Sequence, residues 1–290
     1  MPEQPLVSNG KRRGLRRACF RVTNPHAKPT HLAVMNDRDL MPPAEYEAMF
    51  RSEEGLWWYA ALRELVLSWL RLTVNPGARV LDAGCGTGMT AAVLAREGYA
   101  VTACDPSTDA LRLSRQRVGP RILQQASMAA LPYADGVFDA LVCLDVLGIL
   151  DEQPRQAAVR EMWRVLRPGG VAIVHVSALE WLRSPHDDFT NWRVRFDRAG
   201  LLELLAKAGS WTVLLCGYRV FLLFPLVAGA KIFRRLVASW MGLAPRSDQH
   251  ATPDMLNGLL LRIQRLEHRL CRRGAPIGTS LFTVLQKPAG

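Results

Sequence analysis

The stretch Val80-Leu-Asp-Ala-Gly-Cys-Gly-Thr-Gly88 decides the fold of this chain. A short apolar run predicts a strand that ends at Asp82, and three glycines at alternate positions come after it. Residues 89–95 are predicted to be helical, so the stretch forms a unit of strand, glycine loop and helix. In such a unit the loop lets a ligand approach bare backbone near the amino end of the helix.

A second strand that ends in an acid indicates which ligand this is. Residues 100–104 predict a strand, and Asp105 follows where a carboxylate can accept hydrogen bonds from both hydroxyls of a ribose. Dinucleotide sites use the spacing G-x-G-x-x-G and place a pyrophosphate at the loop, where Asp82 would repel it. S-adenosylmethionine carries an ammonium and a sulfonium but no phosphate, so we predict it as the cofactor. A nicotinamide cofactor is the weaker alternative.

Four motifs in order resemble those of class I S-adenosylmethionine-dependent methyltransferases. They are the glycine stretch, Asp105, Leu131-Pro-Tyr-Ala-Asp-Gly-Val-Phe-Asp139 and Leu166-Arg-Pro-Gly-Gly170, within about residues 45–176. Residues 54–59, 184–187 and 224–225 are similar to a bacterial small-molecule subgroup often associated with polysaccharide or lipid-linked sugar pathways. The resemblance implies methyl transfer to a small-molecule acceptor that is lipid-linked, sugar-linked or neither. A non-catalytic S-adenosylmethionine binder or a membrane-associated protein that retains the fold is the alternative.

The alternation of strands and helices predicts an α/β fold, a Rossmann-like, doubly wound sheet that is mostly parallel. Strands are predicted near 79–82, 100–104, 121–125, 138–144 and 171–176. A strand at 280–286 is predicted to run antiparallel beside 211–219, with helical additions at both ends of the chain. We expect residues 1–43 to be a basic, disordered extension and 44–290 to be the methyltransferase domain. Its core would span about 73–178, and the acceptor side with a lid about 179–280.

The resemblance implies a set of residues that hold the cofactor. They are Asp82, Gly84, Gly86, Gly88, Asp105, Pro106, Ser127, Met128 and Leu144. Ser127 stands where the family commonly has an aspartate that accepts from the adenine amine. Its hydroxyl can still accept, but as a neutral and shorter group. Met128 and Pro106 would then serve as apolar walls around the adenine.

Three residues are candidates for the catalytic chemistry, and none of them resembles a metal-ligand set. Asp145 follows the fourth strand, where it would either cap a turn or face the sulfonium. Gly148-Ile149 replaces the Glu-His pair that the family has after this strand. His186 beside Asp187 is the candidate general base, because imidazole titrates near neutrality and a carboxylate can orient its ring. A purely positional role for His186 stays open.

The composition argues against some classes of partner but does not identify one. The net charge of +11 is compatible with anionic substrates, a membrane surface or nucleic acid. The arginines near the amino terminus lack the interleaved aromatics used for base stacking, and we expect no specific nucleic acid partner. The six cysteines show no ligand spacing, and no apolar run is long enough to span a bilayer. These features, with no secretory signal, favour a cytoplasmic protein; its oligomeric state stays open.

The segment between the last two strands allows two interpretations. Residues 220–230 carry no charge, Arg219 precedes them, and Lys231, Arg234 and Arg235 follow. This pattern fits a helix in the interface of the inner membrane face, as a peripheral contact, or a lid that packs on the domain and closes the acceptor pocket. A second helix, predicted from 253 to 273, has leucines at helical spacing, which predicts that they pack against the body.

Overall fold

The computed structural model describes residues 40–241 and 252–290, and these residues form a seven-stranded sheet flanked by helices. The strands are β1 (Arg79–Ala83), β2 (Ala100–Asp105), β3 (Leu123–Gln125), β4 (Phe138–Leu144), β5 (Leu166–Ser177), β6 (Thr212–Arg219) and β7 (Ser280–Gln286). The helices are α1 (Pro43–Ser52), α2 (Trp57–Thr73), α3 (Met89–Arg96), α4 (Thr108–Ser114), α5 (Glu152–Val165), α6 (Pro185–Phe189), α7 (Arg198–Ala206), α8 (Phe224–Met241) and α9 (Asp254–Leu270).

The strands lie in the order β3-β2-β1-β4-β5-β7-β6. β1 pairs in parallel with both β2 and β4, while β7 runs antiparallel to β5 and β6. The predicted fold class is therefore confirmed, including the antiparallel strand near the carboxyl end. The order reverses between β1 and β4, and open α/β sheets bind ligands at such a point, beyond the carboxyl ends of the strands. Asp82 and Asp145 belong to this edge.

Apolar runs explain why the central strands form. All seven residues of β4 are apolar except Asp139, and most are fully buried, as expected for a strand covered on both faces. One face packs on α5 and α7, with Met162 and Leu201 in that cluster. The other packs on α2 and α3, through Val66 and Leu94. Each such buried side chain stabilises the fold by about 1.5–3 kcal/mol.

The segment between β5 and α7 is partly helical. It contains a 3₁₀ helix, Glu180–Leu182, and the short helix α6. Ser184 and Asp187 form a capping box at the start of α6, in which each side chain accepts a hydrogen bond from the backbone N–H of the other residue. The turn at residues 53–56, which contains Gly55, separates α1 from α2.

The prediction that the leucines of α9 pack against the body is wrong. Met255, Leu259 and Leu270 are exposed, and the fully buried side chains of this helix are Gln264 and Glu267. In the part of the chain that the structure describes, no helix has the length and apolar content to cross a bilayer. The predicted disordered extension lies almost wholly outside the described residues, and the domain boundaries stay a prediction.

Candidate active site

The glycine loop after β1 approaches its neighbours too closely for any side chain. Gly84 has a φ of +80°, which only glycine adopts without strain, and a Cβ there would collide with Val146. The backbone N–H groups of Gly84 and Cys85 both donate to the Cys104 carbonyl on β2, at 2.8 and 2.9 Å. The loop is therefore fixed between the ends of β1, β2 and β4, and its backbone is open to a ligand.

Asp105 at the end of β2 is held in place by the backbone around it. One carboxylate oxygen accepts from the Gly86 N–H at 2.9 Å, and the other accepts from the Ser107 N–H at 2.9 Å. Burial raises the pKa of Asp105 to about 6, against these two hydrogen bonds, which lower it. Each carboxylate oxygen keeps a lone pair, so the group can still receive the two ribose hydroxyls.

Asp82 is the most deeply buried acid of the loop. Burial, together with repulsion from Glu53 and Asp105, raises its pKa to about 7. Its Oδ2 atom has no hydrogen-bond partner among the described residues. A buried carboxyl group without a partner is costly, and a cation bound beside it would remove that cost. The three acids thus form an anionic pocket suited to an ammonium or a sulfonium and unsuited to a pyrophosphate.

Helix α1 closes over this pocket through contacts that the sequence analysis missed. The carboxylate of Glu53, at the end of α1, accepts from the Thr87 hydroxyl and pairs with Arg117. Arg117 also donates to Thr87 Oγ1 at 2.9 Å and stacks over the Phe50 ring at 4.0 Å. These partners lie 30 to 67 positions apart, so no local pattern reveals them. They hold α1 on the glycine loop.

The predicted cofactor residues separate into two groups. Asp82, Gly84, Gly86, Asp105, Pro106, Met128 and Leu144 line one cavity of about 540 Å³. Gly88 and Ser127 are not among the residues that line this cavity. Gly88 precedes α3 and packs against Ser114, where a Cβ would collide. Ser127 is buried, and its hydroxyl accepts from the Ala129 N–H at 3.2 Å. A direct contact of Ser127 with adenine stays a prediction.

The same cavity continues into a second, mainly apolar half. Its lining there includes Trp57, Trp58, Ile149, Leu150, Trp192, Val220, Leu226 and Val227. Both tryptophans of the adjacent pair line it, while Trp69 packs on the sheet. Trp192 also explains Gly148: a Cβ on Gly148 would overlap the Trp192 ring. An indole therefore occupies the space where the family has its Glu-His pair.

Asp145 stands where the two halves of the cavity meet. It adopts a φ of +60°, which is uncommon outside glycine, and its N–H donates to the His175 carbonyl. Its Oδ2 atom lies 3.0 Å from Nδ1 of His175, and its Oδ1 atom has no hydrogen-bond partner among the described residues. The carboxylate is thus anchored through Oδ2, Oδ1 is buried without a described partner, and the side chain as a whole is 32% exposed.

Arg219 fixes the proton on His175. The His175 ring is fully buried, and its Nε2 atom lies 3.2 Å from Arg219 Nη1. An arginine can only donate, so Nε2 accepts and the ring proton sits on Nδ1, from which it is donated to Asp145. Arg219 is itself buried and lies 5.3 Å from the Trp58 ring centre. Burial lowers the pKa of Arg219 to about 10, so it remains charged at neutral pH.

His186 and Asp187 both line the cavity, but the described contacts of Asp187 are with other groups. Its two oxygens accept from Ser184, at 2.8 and 3.0 Å, and from Arg195, at 2.7 and 2.9 Å. The ion pair is buried, and it keeps the pKa of Asp187 below its ordinary value despite the opposing effect of burial. Asp187 therefore holds the loop between β5 and α7 together. A role for His186 as the base stays a prediction.

Helix α8 covers the apolar half of the cavity. Leu226, Val227, Ala230, Lys231 and Arg234 all contribute to the lining. Lys231 Nζ donates to Ser184 Oγ at 3.3 Å, which ties α8 to the start of α6. The acceptor side of the cavity thus combines aromatic and aliphatic walls with cationic side chains from one helix.

Residues 81–174 match the family described as "Methyltransferase domain". The chain contains a class I methyltransferase domain. S-adenosylmethionine is the cofactor of this domain, in agreement with the acids around the glycine loop. The matched residues run from β1 to β5, so they include Asp82, Asp105 and Asp145.

Curated relatives of the methyltransferase domain align over the same part of the chain. A demethylmenaquinone methyltransferase of Beutenbergia cavernae is 38% identical over 111 residues, which are 37% of this chain and 45% of that protein. The methyltransferase GfsG of Streptomyces halstedii is 40% identical over 107 residues, which are 34% and 38% of the two chains. The alignments thus span less than half of these relatives.

Two solved structures share the fold of the methyltransferase domain. The [4+2]-cyclase SpnF gives a TM-score of 0.51 at 23% identity, over 80% of this chain and 84% of that chain. A chain of the Haloferax volcanii complex that contains the Trm112 methyltransferase activator gives 0.54 at 16% identity, over 84% and 98%. Helices α8 and α9 lie outside the residues that match the family, and α8 forms part of the acceptor side.

Proposed function

We propose that the protein transfers a methyl group from S-adenosylmethionine to a small-molecule acceptor. One observation carries the proposal: a single cavity joins the anionic pocket around Asp82 and Asp105 to an apolar half that includes Trp58 and Trp192. When bound, the cofactor supplies an electrophilic methyl group. The chain must then hold an acceptor in line with that group, and such positioning can lower a barrier by about 7–11 kcal/mol.

Asp145 is the base that we propose for an acceptor with an acidic O–H or N–H. Its carboxylate, whose side chain is 32% exposed, takes the acceptor's proton as the acceptor's lone pair bonds to the methyl carbon and the carbon–sulfur bond breaks, which leaves S-adenosylhomocysteine. The proton on His175 Nδ1 stays in place and stabilises the carboxylate, because Arg219 occupies the other ring nitrogen. Proton transfer by a positioned group contributes about 10²–10⁴-fold in rate.

The lining suggests what the acceptor looks like. Trp57, Trp58, Ile149 and Trp192 favour an apolar, flat or branched body, and Lys231 and Arg234 favour a negative group on it. The relative from Beutenbergia cavernae, named for demethylmenaquinone, supports a small apolar acceptor. We therefore propose an acceptor with an apolar body and an acidic group, of which a lipid-linked phosphate is one example.

The test begins with what the purified full chain binds. We expect S-adenosylmethionine or S-adenosylhomocysteine in native mass spectra, and transfer of a labelled methyl group to members of an acceptor panel. The panel pairs each apolar phenol or quinol with a version that carries a carboxylate or phosphate. Preference for the charged member, lost in Lys231→Gln/Arg234→Gln, would support the acceptor assignment.

A second candidate function is cofactor binding without methyl transfer. The loss of the Glu-His pair at Gly148-Ile149 favours it, and the [4+2]-cyclase SpnF shows that the fold is not confined to proteins named as methyltransferases. This alternative predicts S-adenosylmethionine bound at full occupancy with no labelled product for any acceptor. Labelled product, or S-adenosylhomocysteine that accumulates with an acceptor and not without one, would exclude it.

A further inference from the structure

Helix α8 turns an apolar face toward solvent. Leu226, Phe233 and Trp240 recur at intervals of seven residues and therefore lie on one side of the helix, and Leu236 and Met241 flank them. Phe233 is 66% exposed and Trp240 is 87% exposed. An isolated exposed leucine needs no explanation, but a continuous apolar face of this kind marks an interaction site.

Helix α9 also turns an apolar face toward solvent. Met255 is 92% exposed, and Leu259, Leu266 and Leu270 share its side of the helix. The inward side carries Gln264 and Glu267, which are 0% and 2% exposed. The helix is thus amphipathic with its apolar face outward, the reverse of a helix that packs on a core.

Polar contacts hold both helices in this orientation. Glu267 accepts from the Leu222 N–H at 3.0 Å, just before α8 begins. Asn257 accepts from the Trp57 N–H at 2.8 Å, which fixes the start of α9 on α2. On α8, Arg235 donates to the Trp181 carbonyl at 3.1 Å. Directed bonds of this type leave the apolar faces uncovered, and they set which side of each helix faces out.

The charges around these faces identify the occupant. Residues 220–241 and 252–273 contain eight arginines and lysines and two acids, Asp254 and the buried Glu267. Two copies of this surface placed face to face would set arginines against arginines, which opposes dimerisation. A bilayer with anionic headgroups satisfies both features, because apolar side chains enter the interface while cations meet phosphates. Tryptophan is also the side chain most enriched at that depth.

We propose that α8 and α9 dock the protein on the surface of an anionic phospholipid bilayer. The apolar face of α8, from Leu226 to Trp240, lies in the headgroup region, and that of α9 adds to it. Since α8 also lines the acceptor half of the cavity, the docked protein would receive its acceptor from the membrane. That consequence alone rests on the proposed methyl transfer; the docking itself does not.

The test is co-sedimentation of the full chain with vesicles of phosphatidylcholine alone or with about one third phosphatidylglycerol. We expect binding to the anionic vesicles that weakens as ionic strength rises from about 0.05 to 0.15 M, because the Debye length shortens. Phe233→Glu/Trp240→Glu and Leu259→Glu/Leu266→Glu should each reduce binding by at least about tenfold, as should Arg262→Gln/Arg269→Gln, whose side chains are exposed beside the apolar face of α9. Val213→Glu is the matched control, since Val213 is 47% exposed near the start of β6, whereas α8 follows the other end of that strand.

Each variant is first checked for an unchanged melting curve and cofactor affinity, so that a loss of vesicle binding is not a loss of fold. The absence of binding to anionic vesicles would overturn the proposal, and so would an equal loss in Val213→Glu. A dimer in light scattering that Phe233→Glu/Trp240→Glu breaks, without vesicle binding by the original chain, would assign the face to a second copy instead. None of these readouts requires an acceptor or turnover.

Discussion

Asp145, the proposed base, has different surroundings from Asp82 and Asp105, the acids assigned to cofactor binding. Asp82 and Asp105 belong to the pocket that favours a cation, whereas Asp145 is anchored on one oxygen by His175 and has no described partner on the other. His186, the other candidate base, lies in the same cavity. We expect Asp145→Asn to lower kcat by about 10²-fold or more, because an amide cannot take a proton, with little change in cofactor affinity.

Three further variants separate the candidates. His186→Ala should raise KM and leave kcat nearly unchanged if the imidazole only shapes the pocket, and single-turnover kinetics measure this. His175→Leu should lower kcat, whereas His175→Gln should retain more activity, since an amide can still accept from Arg219 and donate to Asp145. A fall in kcat for His186→Ala with none for Asp145→Asn would assign the base to His186.

Asp105 gives a prediction about the cofactor alone. Asp105→Ala should weaken S-adenosylmethionine binding by more than about tenfold, because two charge-assisted hydrogen bonds to the ribose are lost. Asp105→Asn keeps the shape and an acceptor for the loop, so it should weaken binding less. Asp109→Ala, on the first turn of α4, is the control. Calorimetric titration with unchanged affinity in Asp105→Ala would remove Asp105 from the ribose site.

Helix α1 owes its position to a buried ion pair, and this can be tested by unfolding. Arg117→Met leaves the Glu53 carboxylate buried without its partner, and burial already raises the pKa of that group. Breaking such a pair costs about 3–5 kcal/mol, so the free energy of unfolding in urea should fall by that order. The cofactor affinity should fall as well, because α1 closes the glycine loop.

The exposed pair of Arg71 and Glu97 provides the comparison for α1. Arg71→Met should leave the free energy of unfolding nearly unchanged, as is usual for ion pairs in solvent. Glu53→Gln/Arg117→Met should recover part of the loss, because no charge is then buried alone. Equal effects of Arg117→Met and Arg71→Met would contradict the role assigned to the buried pair.

The elements show what the sequence can and cannot predict. Strand positions follow from apolar runs bounded by turns, which is why β1, β2 and β4 lie where they are predicted. The period of α9 correctly groups its leucines on one side, but a period does not tell which side faces the protein. That choice depends on distant contacts such as Asn257 with Trp57 and Arg265 with Glu64.

The site was predictable to the extent that its residues are local in sequence. Asp82, Gly84 and Asp105 form a motif of fixed spacing, and all three line the cavity. His175 and Arg219 escaped the analysis, because they meet across β7, on strands that are 44 residues apart. The described contacts of Asp187 are with Ser184 and with Arg195, eight positions away, and its role beside His186 stays a prediction.

The stability of the cofactor-free protein should depend on pH, because two of its buried acids have raised pKa values. The pKa values of Asp82 and Asp105 are raised to about 7 and about 6 from an ordinary value of 3.8. Between about pH 4 and pH 7 the folded state therefore holds more protons than the unfolded chain. The stability contributed by the two groups is therefore fully present below about pH 4 and is lost as the pH rises through about 7.

A cation bound beside Asp82 favours the charged carboxylate and so reverses this trend. The increase in melting temperature caused by saturating S-adenosylmethionine should thus grow from about pH 5.5 to 7.5, because binding releases a proton at the lower pH and not at the higher. Thermal scans measure the increase, and calorimetry in two buffers of different ionisation enthalpy measures the proton. Asp82→Asn should remove most of the pH dependence. An increase that stays constant over this range, with no proton released near pH 6, would show that Asp82 does not face the cation.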